Sequence, residues 1–193
     1  MRRLNLKVVL SVWIYLGWFG CVYCGTLGWS AASLVFPAIS WLLLRAVSGL
    51  NRGLLLRLLV LFCIGVTFDS IAVYVGIIQP TPPAEMGWLP LWLISLWLLF
   101  VSSLPLLQTM LQTSFRRQTP TKTLTRPSRS HVWRQSFLAA MLGAIFGPLS
   151  YRAGSQFDVL MMDGAFALVL YAIFWAVYIP GAIFWIAPKG KVK

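Results

Sequence analysis

The sequence predicts an all-α fold, a polytopic transmembrane bundle of six helices with the N-terminus and the C-terminus both cytoplasmic. Three observations lead to this prediction. The chain of 193 residues is 59% hydrophobic and only 10% charged, whereas ordinary globular domains carry about 25% charged residues. Six apolar segments approach the roughly 20 residues that a helix needs to cross a bilayer. Basic residues collect at alternate ends of these segments.

The six predicted helices follow one another in a single integral membrane domain that covers residues 1–193. Their approximate bounds are residues 8–25, 27–44, 54–78, 88–111, 132–151 and 164–187. Little more than residues 25–28 separates the first two, which predicts a tight helical hairpin. The segment of about residues 112–131 is rich in Thr, Ser, Pro and Arg. This composition is typical of a flexible loop, which we expect on the cytoplasmic side.

The placement of the charges sets the predicted orientation. With the N-terminus inside, fifteen of the sixteen Lys and Arg residues fall in cytoplasmic segments, and Arg152 falls outside. Cytoplasmic loops of membrane proteins collect Lys and Arg, so this distribution favours six helices over five or seven. It also explains the net charge of +12 without nucleic-acid binding, which would need the basic residues on one face. The predicted location is the inner (cytoplasmic) membrane of a bacterium.

Asp69 is the most informative single residue, since it lies inside the third predicted helix. A charge near a helix centre costs about 2.5–3.5 kcal/mol on insertion scales, so such residues usually face the bundle interior or water. We identify Asp69, Tyr74, Tyr151 and Arg152 as candidate ligand-binding residues, with Asp69 and Arg152 facing one outward-opening cavity. Two structural alternatives stay open. In the first, Asp69 is a structural residue, protonated or hydrogen-bonded by Ser70, Thr67, Tyr74 or Arg152. In the second, Arg152 forms a salt bridge to Asp158 or Asp163 or anchors the helix at the interface.

Gly143 and Gly147 in the fifth predicted helix form a Gly-x-x-x-Gly pair. Small residues four apart allow the backbone of another helix to approach closely. We therefore identify Gly143, Gly147 and Pro148 as helix-packing candidates and expect the fifth helix to be central. Its partner is either in the same chain or in another subunit, which would form an oligomer. Pro148 should break or kink the helix near its outer end.

Cys21 and Cys24 have the spacing of a dithiol redox motif, so a membrane thiol-redox protein is one alternative function. The remaining cysteine, Cys63, is expected to lie too far away to provide a second exchanging pair, and buried cysteines are mostly small hydrophobic residues. The single histidine, His131, gives no metal site, and no nucleotide-binding or hydrolase motif is present. We expect no metal and no cofactor, and enzymatic activity is not favoured.

Three stretches of the chain resemble a family of small bacterial inner-membrane proteins described only as a domain of unknown function. They are residues 65–70 (GVTFDS), 90–100 (PLWLISLWLLF) and 147–154 (GPLSYRAG). The resemblance runs from Asn5 to about residue 160. It implies a multi-helix membrane protein often encoded near fatty-acid-modifying enzymes, and hence a role in envelope lipid modification or stress. It supplies no catalytic residue.

Two classes of function follow from these observations. The first is a lipid-binding or accessory protein of envelope lipid metabolism, whose partners are membrane lipids and a lipid-modifying enzyme. The second is a small proton- or ion-linked transporter with a polar cleft around Asp69. A pore normally carries a polar stripe along several helices. The first, fourth and sixth predicted helices are almost wholly apolar and aromatic, which favours the first class.

Overall fold

A computed structural model describes residues 2–48, 50–81, 89–116, 129–162 and 164–187. These residues form six α-helices: α1 (Arg2–Thr26), α2 (Val35–Ser48), α3 (Arg52–Tyr74), α4 (Leu91–Arg116), α5 (Arg129–Gln156) and α6 (Gly164–Ile186). A 3-10 helix, Ser30–Leu34, precedes α2, and two short strands follow α3 and α5, namely β1 (Ile78–Pro80) and β2 (Leu160–Met162). The predicted all-α fold is confirmed. Most of the predicted cytoplasmic loop lies outside the described residues.

Four of the helices are long and apolar enough to cross a membrane: Val8–Thr26 within α1, Arg52–Tyr74, Leu91–Met110 within α4, and Gly164–Ile186. The apolar stretch Ser30–Ala46 is shorter. The apolar part of α5 is confined between Arg134 and Arg152. The fold is therefore that of a membrane protein, whereas membrane crossing by α2 and α5 and the orientation of the termini stay predictions.

Glycines in the left-handed conformation end two of the long helices. α3 ends at Tyr74 rather than near residue 78, because Gly76 adopts a φ of 77°. The N–H of Ile77 then donates to the carbonyl of Ala72 at 2.8 Å, which closes a Schellman motif. Gly28, with a φ of 71°, ends α1 in the same way.

The connection between the first two helices is longer than the predicted tight hairpin. After Gly28 the chain forms the 3-10 helix, and α2 begins only at Val35 instead of near residue 27. Pro37 lies in the first turn of α2, where a backbone N–H has no partner within the helix in any case. The proline therefore favours a helix that starts close to residue 35.

The prediction that the fifth helix is central is wrong, because α4 occupies that place. α4 contacts each of the other five helices, while α5 packs mainly against α6. Bulky Trp92 and Trp97 on α4 are buried, and so are the small Ser95 and Ser102. A helix that is apolar on all sides, with small and large residues interleaved, can be enclosed by neighbours all round. Pro148 lies inside α5, which continues to Gln156.

An antiparallel ribbon closes one end of the bundle. Ile78 pairs with Met162, and Pro80 pairs with Leu160. The ribbon ties the end of α3 to the connection between α5 and α6. Its strands have three residues each, too few for the alternating pattern from which a strand is predicted.

Candidate functional site

Asp69 lies on the buried face of α3. The buried residues of this helix recur three or four positions apart, which places them on one face: Leu58, Leu61, Gly65, Asp69 and Ala72. Asp69 has 0% of its surface exposed. A buried carboxylate is costly unless its oxygens accept hydrogen bonds, so its partners decide what it can do.

Three donors from three helices satisfy the Asp69 carboxylate. Trp97 Nε1 on α4 donates to Oδ2 at 2.6 Å, and the Tyr151 hydroxyl on α5 donates to the same oxygen at 2.7 Å. The Tyr171 hydroxyl on α6 donates to Oδ1 at 2.9 Å. All three donors are neutral aromatic side chains. The carboxylate therefore joins α3, α4, α5 and α6 through hydrogen bonds and uses most of its roughly four acceptor positions.

Glycines make room for the aromatic rings around this carboxylate. A Cβ on Gly65 would overlap the ring of Trp97, and one on Gly147 would overlap Trp175. The Trp97 and Trp175 rings stack with centroids 5.2 Å apart and an interplanar angle of 2°. A Cβ on Gly143 would meet the backbone carbonyl of Trp175. The Gly-x-x-x-Gly pair is thus occupied by α6 of the same chain.

An apolar cleft of about 380 Å³ adjoins the carboxylate. It opens between α1 and α5, and α4 and α6 form its floor. Its lining is Tyr15, Trp18 and Val22 from α1; Trp92, Leu93, Leu96, Trp97 and Phe100 from α4; Phe146, Gly147, Ser150, Tyr151 and Gly154 from α5; and Leu160, Trp175 and Ile179. Tyr15 and Phe146 at the rims are 73% and 63% exposed, while Trp97 and Tyr151 are buried. The cleft lies in the half of the bundle that the ribbon closes.

A second groove of about 440 Å³ lies between α3 and α6. Its lining includes Val60 and Ile64 from α3 and Ile173 and Val177 from α6. All four side chains are about half exposed or more, so this groove is a shallow part of the outer surface. None of the three donors to Asp69 lines it.

The structure brings together two of the four candidate ligand-binding residues, Asp69 and Tyr151. Tyr74 is 91% exposed at the end of α3 and is not among the donors to Asp69. Arg152 is exposed as well. It follows the exposed residues Met141, Ile145 and Leu149 at helical spacing, on the face of α5 turned away from the bundle. These two side chains therefore do not adjoin the buried carboxylate.

Trp97 and Tyr171 are the donors to Asp69 that the sequence did not single out. Trp97 lies in the tryptophan-rich stretch of residues 90–100, where composition alone explains many tryptophans. The available signal is indirect: a buried aspartate needs donors, and tyrosine or tryptophan at a similar depth of other helices can provide them.

The cysteines of the possible redox motif lie on the buried side of α1. Cys21 is 0% exposed, and its Sγ lies 3.7 Å from the carbonyl oxygen of Ser33. Cys24 is 9% exposed, and Cys63 is exposed on α3. Among the described residues, no three His, Cys, Asp or Glu side chains are grouped so that they could hold a metal ion.

Six helices, four of them long and apolar, with a buried carboxylate beside an aromatic cleft, define an α-helical membrane protein. The chain belongs to the family described as Protein of unknown function (DUF2878), whose sequence profile matches residues 7–128 and 122–181. The resemblance to an uncharacterised family is thereby confirmed, whereas its bacterial inner membrane and gene neighbourhood stay predictions. No curated protein and no solved structure matches the chain.

Proposed function

We propose that this chain is a lipid-binding membrane protein that holds one hydrocarbon chain of a membrane lipid in the cleft between α1 and α5. The observation that carries this proposal is the cleft itself. Its volume of about 380 Å³ falls within the range of small-molecule sites, about 300–1,000 Å³, which are lined mainly by hydrophobic and aromatic side chains.

The lining favours hydrocarbon over water as the occupant. Most of its side chains are apolar. Two buried indole N–H groups of the lining, those of Trp92 and Trp175, have no acceptor in the described structure, and an ester carbonyl of a lipid can provide one. The Ser150 hydroxyl already donates to the carbonyl of Gly147 at 2.6 Å. The rim residues Tyr15 and Phe146 continue into the exposed apolar surface of α1 and α5, so a lipid chain can enter from the side.

The predicted topology indicates from which leaflet of the membrane the lipid would come. With both termini in the cytoplasm, the ribbon and the cleft belong to the outer half of an inner-membrane bundle. The occupant then comes from the outer leaflet. Arg152, on the outward face of α5, would lie near the headgroups, where a long basic side chain extends toward water. The role in envelope lipid metabolism and the partner lipid-modifying enzyme rest on the resemblance described above.

The transporter alternative receives less support from the geometry. It relied on a polar cleft that joins Asp69 to Tyr74 and Arg152. Asp69 is instead enclosed by aromatic donors, and the other two side chains are exposed away from it. The thiol-redox alternative rests on the spacing of Cys21 and Cys24 alone, and Cys21 is fully buried, where a thiol is unreactive. Lipid binding is therefore the function we put forward.

The test uses a phospholipid that carries a photoactivatable diazirine in its acyl chain, reconstituted with the purified protein. After illumination, cross-linked residues are identified by mass spectrometry. We expect cross-links to concentrate at cleft residues such as Tyr15 and Phe146, relative to Val177 in the second groove.

A matched pair of variants controls this experiment. Leu96→Trp fills the cleft, and Val177→Trp places the same ring on the second groove. We expect only Leu96→Trp to lower cleft cross-linking. Cross-links spread evenly over all exposed apolar residues, and insensitive to Leu96→Trp, would refute the proposal.

A further inference from the structure

The two oxygens of the Asp69 carboxylate have different partners. Oδ2 accepts hydrogen bonds from Trp97 and Tyr151, at 2.6 and 2.7 Å. Oδ1 accepts the one from Tyr171, at 2.9 Å. Trp97 and Tyr151 both line the cleft, whereas neither Asp69 nor Tyr171 does. One oxygen thus holds two side chains of the cleft wall, and the other holds a residue outside the cleft.

We infer that Asp69 is a positioning residue, whose Oδ2 fixes the shape of the lipid cleft by holding Trp97 and Tyr151 as its back wall. This inference rests on the proposed function, since it concerns the same cleft. Asp69 acts through these two rings and does not touch the bound hydrocarbon chain. The inference also assigns to the Asp69 carboxylate the role of a hydrogen-bond acceptor and not that of a titrating group.

Packing and a hydrogen bond together hold the Trp97 ring. The ring fills the space beside Gly65, where a Cβ would overlap it, and it stacks on Trp175. The short bond from Nε1 to Oδ2 adds a directional contact that fixes which edge of the ring faces α3. The Tyr151 ring, 4.2 Å from the Tyr171 ring between centroids, is fixed by its hydroxyl in the same way.

An amide can replace the carboxylate in this role. In Asp69→Asn, the side-chain oxygen can take the Oδ2 position and accept from Trp97 and Tyr151. The NH₂ group then faces Tyr171, whose hydroxyl can turn and accept, because a phenol is both donor and acceptor. Asp69→Leu is similar in shape and offers no acceptor. If Asp69 positions the wall, the asparagine variant keeps the cleft and the leucine variant loses it.

Two tyrosines give a matched comparison. Tyr151→Phe and Tyr171→Phe each remove one hydroxyl and one hydrogen bond to Asp69, and each keeps its ring. Only Tyr151 belongs to the cleft wall. We expect Tyr151→Phe to weaken lipid binding in the cleft and Tyr171→Phe to leave it unchanged. The two variants should have similar thermal stability, because each loses one hydrogen bond.

The experiment is the same diazirine cross-linking, read as the ratio of cleft to second-groove cross-links in the four variants. A general loss of folding lowers the cross-linking at both sites and leaves their ratio unchanged. We expect the ratio to fall about threefold to tenfold in Asp69→Leu and Tyr151→Phe, which corresponds to one or two interhelical hydrogen bonds of the strength typical in membranes. Asp69→Asn and Tyr171→Phe should match the unmodified chain.

Each outcome bears on a separate claim. An even ratio in the unmodified chain refutes the lipid site itself. A cleft-rich ratio that Asp69→Leu and Tyr151→Phe leave unchanged refutes the positioning role and keeps the lipid site. A loss of the ratio in Asp69→Asn as large as in Asp69→Leu refutes the acceptor role, because it would show that the ionisable carboxylate is required. Should Asp69→Leu fail to fold, the pair of tyrosine variants decides.

Discussion

The hydroxyl of Ser40 on α2 lies 2.6 Å from the hydroxyl of Ser102 on α4. Seven residues earlier on both segments, Ser33 and Ser95 repeat this relationship at 2.7 Å. All four serines are buried. From Ser33 and Ser95 to Ser40 and Ser102, the residue number rises by seven on both segments. The two segments therefore run parallel and meet at heptad-spaced positions. Small hydroxyl side chains thus let α4 approach its neighbour closely and bond to it.

We predict a measurable coupling between Ser40 and Ser102. In a double-mutant cycle of Ser40→Ala and Ser102→Ala, the coupling free energy should be about 0.6 kcal/mol, the average for interhelical hydrogen bonds in a membrane. Unfolding in detergent micelles measures it. Ser103→Ala serves as the control, since that hydroxyl donates to Phe100 within α4 and should show no coupling with Ser40. Additive effects of the first pair would contradict the prediction.

Gly143 should tolerate no side chain. Gly143→Ala would push a Cβ into the backbone carbonyl of Trp175, which cannot rotate away. We expect a loss of about 1–3 kcal/mol of stability, as for other overpacked sites. Gly181→Ala in α6 is the matched control, because its Cβ would meet no atom within 4 Å. An equal thermal stability of the two variants would show that α5 and α6 separate more readily than the packing indicates.

Arg57 should stabilise the C-terminal end of α6. Its Nη1 donates to the carbonyl oxygens of Ala187 at 3.1 Å and Trp185 at 3.3 Å. These carbonyls lie where a helix carries its partial negative charge, and a cation there contributes about 0.3–1 kcal/mol. Arg57→Gln should therefore speed amide exchange in the last turn of α6. Arg52→Gln, at the first residue of α3, removes the same charge and should leave that turn unchanged.

The predicted orientation can be tested at the ribbon. Met161 in β2 is 62% exposed. In a cysteine-free background, Met161→Cys should react with a membrane-impermeant maleimide added to intact spheroplasts. Lys122→Cys, in the predicted cytoplasmic loop, should react only after the cells are opened. The reverse pattern would invert the topology and place the cleft in the cytoplasmic leaflet.

The sequence predicts the long helices well, because each is a continuous apolar run. It places the ends of α3 and α2 less well, since these depend on local backbone geometry at Gly76 and on the 3-10 helix before Val35. The central position of α4 also cannot be predicted from the sequence. Ser95 and Ser102 form no Gly-x-x-x-Gly pattern, whereas the more conspicuous Gly143 and Gly147 mark the contact of α5 with α6.

The sequence points to part of the hydrogen-bonded group around Asp69, while ligand binding by these residues stays a prediction. The cost of burying a carboxylate marks Asp69 as a residue that needs partners, and Tyr151 is one of them. Neither Trp97 nor Tyr171 can be assigned from the sequence, because their contact with Asp69 depends on how three helices rotate about their axes. The expected grouping with Arg152 fails for the same reason. One residue along α5 turns a side chain by about 100°, which separates Arg152 from Tyr151.

The hydrogen bonds at Asp69 join α3, α4, α5 and α6, and the ribbon ties α3 to the α5–α6 connection again. α1 takes part in neither. It packs against α4 and α2, and Trp13 Nε1 donates to the Phe36 carbonyl oxygen at 3.0 Å. The two walls of the cleft are thus held differently: α5 carries a hydrogen bond to the carboxylate, and α1 packs against its neighbours without one. A lipid that left the proposed site on the α1 side would break none of the bonds to Asp69.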